Sequence, residues 1–176
     1  MDETRNRVRK SLRDSFPVLF GDQWEDAAKV FYARFDDIHI SQISPIEGAD
    51  QMLKDLSDLG IYLAVVSNKR GEYLRKEVLH LGWDKYFSKL VGALDAKKDK
   101  PATDPVELAL ADCHHKSGST IWFVGDADID MECAINAGLT PVLLRLEPPK
   151  PEEFKQHPPI CHIVDCAALS KLIHSM

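Results

Sequence analysis

Apolar positions recur at helical spacing over the first third of the chain and at strand spacing after it. Residues 3–15 and 22–36 read as amphipathic helices. In the second, Trp24, Ala27, Ala28, Phe31 and Phe35 fall on one face. Phe16-Pro17 and Phe20-Gly21-Asp22 separate the two, with Asp22 the expected N-cap. A connection over Ile40 to Gly48 leads to a helix from Asp50 to Leu59, which Gly60 ends. The pattern then changes. Ile61-Tyr-Leu-Ala-Val-Val66 is a continuous apolar run of strand length, as in a strand covered on both faces. A helix over 71–80, a short strand over 87–91 and a helix over 105–113 follow. A buried strand over 120–124, a helix over 128–137 and a strand over 140–144 come next. A proline-punctuated loop, a strand over 160–164 and a helix over 166–174 close the chain. Alternating strands and helices predict an α/β fold with a parallel, Rossmann-like sheet and helices on both faces. Residues 46–176 form that core, and the helical residues 1–45 form a smaller lobe.

The composition changes this picture little. The chain has 176 residues, 44% hydrophobic and 28% charged, which is ordinary for a globular domain with a real core. A formal net charge of −6 gives a nucleic-acid role little electrostatic support. Cys113, Cys133, Cys161 and Cys166 form no Cys-x-x-Cys pair and complete no zinc pattern, so they read as buried thiols of a reducing compartment. No apolar run resembles a signal peptide or a membrane span, which makes a cytoplasmic location the default expectation.

Candidate chemistry collects where the predicted strands end. Ligands of open parallel sheets sit beyond the carboxyl ends of the strands, and both Ser67 and Asp126 fall at such ends. Ser67, with the amides of Asn68 and Lys69, is suited to donate to a phosphate; its bland alternative is capping the next helix. Asp126, Asp128 and Asp130 place three carboxylates in five residues, enough for a hard cation or simply for a helix N-terminus. Lys100, set apart from Lys97 and Lys98 by Pro101, is suited to neutralise a phosphate or belongs to a solvated cluster. His114-His115 reads as a surface turn.

In combination and in this order, these segments are more specific. Ser67-Asn68-Lys69, Lys100-Pro101 and Gly125-Asp126-x-x-x-Asp130 with Ala134 and Gly138 strongly resemble the haloacid-dehalogenase-like phosphatases, within them the phosphoglycolate-phosphatase-like group. Residues 1–45 resemble the latter part of that group's helical cap less specifically. The resemblance implies Mg2+-dependent hydrolysis of a small phosphorylated metabolite, with no nucleic acid or membrane partner. An aspartate would attack phosphorus and form an aspartyl-phosphate, and a second one would act as general acid and base. Ser67 and Lys100 would be catalytic. Ser67, Asn68, Lys69 and Arg13, with Arg9 as a weaker candidate, would hold phosphate or another anionic group. Asp126 and Asp130 would hold Mg2+. One departure matters: no Asp-x-Asp-Gly-Thr-like nucleophile motif occurs, and its central strand is missing. The strands ending at Ser67 and Asp126 must therefore pair directly or leave a gap. Ala127 also stands where relatives often carry Thr or Ser. The chain reads as a phosphatase truncated at its start, lacking its first motif and inactive as written. The alternative is a non-catalytic phosphate-binding or protein-interaction relative. A phosphate-accepting receiver domain fits the helical first lobe poorly.

Overall fold

The structure, a computed structural model, describes residues 10–114 and 118–175. The first helix, α1, spans Leu12–Phe20 and runs through Pro17, where the sequence predicted a break. The break falls instead at Gly21, whose φ of 52° is open to glycine at little steric cost. A 3-10 turn, Gly21–Gln23, holds Asp22, so the residue before α2 is Gln23 and no side chain caps that helix. Helix α2 (Trp24–Gln42) runs further than its apolar stripe predicted. Helix α3 (Ala49–Asp58) precedes the first strand.

The remaining elements alternate as the pattern requires. They are β1 (Ala64–Arg70), α4 (Gly71–His80), β2 (Lys89–Ala93), α5 (Asp104–Ala109) and β3 (Gly118–Gly125). Then come α6 (Asp128–Asn136), β4 (Leu139–Leu144), β5 (Cys161–Ile163) and α7 (Cys166–His174). Strand pairing is parallel throughout, but the strands form two separate ladders, β1–β2 and β3–β4–β5. Strands β1 and β3 do not pair, so a gap lies between the half-sheets. Burial follows from it. Val142 and Leu143 on β4 are fully buried, whereas every residue of β1 stays partly accessible and Val124 on β3 is exposed. The strands that border the gap are the less covered ones.

Helices nevertheless cover both faces. On one side Val106, Leu110, Cys113, Cys133 and Leu139 form a core that Val66 of β1 and Ile121 and Phe123 of β3 all join, so packing bridges the gap. The intervening Trp122 points to the other face, with Val142, Ile163, Leu169 and Met52 of α3. This is the period-two alternation of a strand. Ser170 donates to Asp55 at 2.6 Å and ties α7 to α3. Among the described residues no helix is long and apolar enough to cross a membrane.

Candidate active site

The half-sheets are joined at the carboxyl ends of their strands by one lysine. Lys100 Nζ donates to the Val66 carbonyl of β1 at 2.9 Å and to Asp130 Oδ1, just after β3, at 2.7 Å. It also lies 5.7 Å from the centroid of the Phe123 ring. Lys100 and Asp130 are both buried, and a buried cation needs such a partner. An ammonium has three donors, so one N–H of Lys100 remains for a ligand.

Asp130 is placed by local geometry. Ala127 is the N-cap of α6, and Asp130 reaches back three residues so that Oδ2 accepts from the amides of Asp126 (3.2 Å) and Ala127 (3.1 Å). This is half of a capping box; the Ala127 methyl cannot return the bond. Gly125 makes room for the fold-back, since a Cβ there would sit 2.4 Å from Asp130 Cβ. Asp130, expected as a metal ligand, thus has both oxygens engaged by the protein and anchors Lys100. Asp126 differs: it is exposed, and its carboxylate accepts no hydrogen bond among the described residues.

The other expected residues divide in the same way. Ser67 does not cap α4, because β1 continues to Arg70; its Oγ accepts from the Lys69 amide at 3.1 Å and its hydroxyl proton stays available. Asn68 pairs with the backbone of Lys100, accepting from its N–H at 3.0 Å and donating to its C=O at 3.2 Å. That clamps the Lys100 loop, whose Lys100–Pro101 bond is cis. Lys69 pairs with Glu77, which is buried and also meets His39 Nδ1 at 3.1 Å. Arg13 Nε approaches Asp99 Oδ2 at 2.6 Å out of hydrogen-bond alignment, and both Asp99 Oδ2 and Arg13 Nη2 are buried without a hydrogen bond. Arg9 and His115 lie outside the described residues.

A cavity of about 380 Å³ gathers Ser67, Asn68, Lys69, Lys100, Asp126 and Asp130. Arg13 lines a different, larger cleft of about 670 Å³ with Lys97 and Lys98. The smaller cavity is the candidate site, because of the two it is the one lined by the ends of β1 and β3. Its lining also includes aromatic rings, from Phe16 of α1 and Phe31, Tyr32 and Phe35 of α2. Tyr73, which also lines the cavity, packs against Tyr32 and Phe35, with ring centroids 5.5 and 5.0 Å away. Burial, helped by a hydrogen bond with Asp36, pushes the Tyr73 phenol up to about 12. Beneath the floor burial likewise pushes the Cys133 thiol up to about 12. Sequence reasoning used Phe31 and Phe35 only as a core stripe and missed Glu77 and His39. The four-residue spacing of the two phenylalanines was the available signal for the wall.

Among the described residues no three His, Cys, Asp or Glu side chains converge on a metal position. A hard dication commonly takes one or two carboxylates plus water and phosphate oxygens. Asp126 is open to one such ligand position, while Asp130 already accepts from Lys100 and two amides.

Residues 1–144 match the family model described as haloacid dehalogenase-like hydrolase. The chain belongs to this family. It is 30% identical over 128 residues to the pyrophosphatase PpaX of Halalkalibacterium halodurans, covering 73% of this chain and 59% of that protein. It is 29% identical over 134 residues to the phosphoglycolate phosphatase of Aquifex aeolicus, covering 76% and 59%. This chain therefore spans well under two thirds of either relative. Among solved structures, a HAD-superfamily hydrolase from Ehrlichia chaffeensis aligns with a TM-score of 0.63 at 26% identity, over 93% of this chain and 75% of that one. A haloacid dehalogenase-like hydrolase from Streptococcus pneumoniae reaches a TM-score of 0.77 at 17% identity, over 94% and 76%, a likeness of fold alone.

Proposed function

We propose that the cavity is the phosphate site of a Mg2+-dependent phosphatase acting on a small phosphorylated metabolite, and that this chain supplies the groups that hold phosphate and face the metal. One observation carries the reading: Ser67 and Lys100, from the β1–β2 side of the gap, line one cavity with Asp126, which follows β3 on the other side. The names of the relatives support the same reaction class. The Ser67 hydroxyl and the remaining N–H of Lys100 donate to phosphoryl oxygens and stabilise the charge that builds there in the transition state. Asn68 and Asp130 hold Lys100 in place. A dianion beside the open Asp126 carboxylate meets repulsion unless a cation lies between them, and Asp126 would hold it. Bound there, Mg2+ would polarise the phosphoryl group and offset its charge.

The nucleophile is a separate matter. Apart from Asp126-Ala-Asp128, no strand among the described residues ends in Asp-x-Asp. Asp126 is assigned to the cation, so this chain alone is expected to release little or no phosphate. The gap favours a second reading, a phosphate-binding relative without turnover. The test is Mg2+-dependent phosphate release from p-nitrophenyl phosphate by the purified chain beside Asp126→Asn, with 31P NMR of phosphate binding. Binding without release, weakened in Ser67→Ala, supports the phosphate site. Release that Asp126→Asn abolishes would show that the chain already holds a nucleophile. No binding would remove the reading altogether.

A further inference from the structure

The cavity has two unlike walls, and the aromatic one bears on what is attached to the phosphate. We propose that this site, taken as the phosphate site above, selects phosphate esters whose leaving group is flat and apolar, an aryl or heteroaryl group, over small all-polar phosphates.

Much of the rest of the lining is a connected set of rings. Phe31 stacks on Phe35 at 5.7 Å with 12° between planes, and Phe16 meets Phe31 edge-on at 5.8 Å. Tyr32 is backed by Tyr73, stacked at 5.5 Å and 14°. Phe31 is 45% exposed although it belongs to this packed set, so it has ring surface still to cover. Aromatic rings pair well with another ring in offset or edge-on arrangements, and their faces are electrostatically negative. The same faces disfavour a carboxylate or a second phosphate.

The cations near the cavity point the same way. Lys69 is paired with Glu77. Arg70 is paired with Glu72 at 3.0 Å and lies 4.5 Å from the centroid of Tyr32. Arg13 faces the other cleft. Among the described residues that leaves Lys100 for the transferred phosphate and the exposed Lys10. A second anionic group deep in the cavity would lose water without gaining a dedicated charge partner, which is costly. The volume, about 380 Å³, falls within the roughly 300–1,000 Å³ common for ligand pockets, room for a phosphate and one ring.

Binding rather than turnover tests this, on the full chain with Mg2+ present. Phenylphosphonate, methylphosphonate and pyrophosphate are titrated by ligand-observed NMR. Phenylphosphonate is expected to bind at least about tenfold more tightly than methylphosphonate, a difference of about 1.4 kcal/mol. Phe31→Ala and Tyr32→Leu should remove that advantage and leave methylphosphonate unchanged; Phe31 is half-exposed, so its truncation threatens the fold least. Equal affinities for the two phosphonates, or pyrophosphate the tightest, would overturn the proposal. If the two phosphonates bind equally but Ser67→Ala weakens both, the phosphate site stands and only the aryl preference fails. If none of the three ligands binds, the phosphate site fails and the preference with it.

Discussion

The two walls of the cavity are built on different principles. The floor is a polar lattice in which Lys100, Asp130, Asn68 and two amides at the start of α6 engage one another at 2.7–3.2 Å. The roof is a stack of rings on α1 and α2, held to the core through Tyr73 and the His39–Glu77–Lys69 cluster. Buried hydrogen bonds to charges are directional and leave one arrangement of the floor. Ring contacts tolerate offsets and re-packing, so the roof is the adaptable side. A rigid end beneath an adjustable end is the division that this difference implies.

Substitutions can break the two sides separately. The largest effect is expected from Asp130→Ala, which leaves the Lys100 ammonium buried without its counter-charge. It should cost about 3–5 kcal/mol of unfolding free energy in denaturant titration. An unchanged midpoint would show that this pair does not hold the half-sheets together. Glu77→Gln should cost roughly 1–3 kcal/mol, because His39 and Lys69 lose their shared carboxylate. Its signature is location: hydrogen exchange should quicken in α2 and α4 while the Lys100 loop keeps its protection. Gly125→Ala acts on the floor alone, where the added methyl presses on Asp130. A loss of about 1–3 kcal/mol is expected, with α2 exchange unchanged. Ala127→Ser should stabilise by about 0.5–1 kcal/mol, since it completes the capping box at an N-cap already in extended conformation, with φ −131° and ψ 158°.

The smallest effects at neutral pH are two titrations, one under each wall. The Cys133 thiol rises from an ordinary value near 9 to about 12 through burial, and the Tyr73 phenol from near 10 to about 12. In both cases the folded state binds its proton more tightly. The associated stability is therefore complete below the unfolded values and is lost as pH rises, from about 9 for Cys133 and about 10 for Tyr73, up to about 12. Cys133→Ala should flatten the pH dependence of stability between 9 and 10, and Tyr73→Phe only above 10. Identical slopes in wild type and both variants would mean that neither group stays protonated in the folded protein.

Much of the floor was legible in the sequence because its chemistry is local. Ser67 and Asp126 each follow an apolar run of strand length, and Asp130 lies three residues after the N-cap of its helix. What those residues do to one another was not legible. Nothing in their spacing shows that Asn68 clamps Lys100, or that Asp130 turns to the lysine and leaves Asp126 open. Those outcomes depend on contacts across about thirty residues of chain. The roof was less legible still. Phe31 and Phe35 carry the same helical period whether they enter a core or line a cavity, and periodicity cannot tell the two apart.

The sequence by itself therefore determined the order of strands and helices and the parallel α/β class. Each of these follows from short-range patterns of apolar residues, carboxylates and turn formers. Only the tertiary structure decided that the sheet divides between β1 and β3, that Lys100 spans the division, and that an aromatic wall faces it. Strand pairing and the partnering of buried charges are settled by which distant segments can satisfy one another once water is excluded.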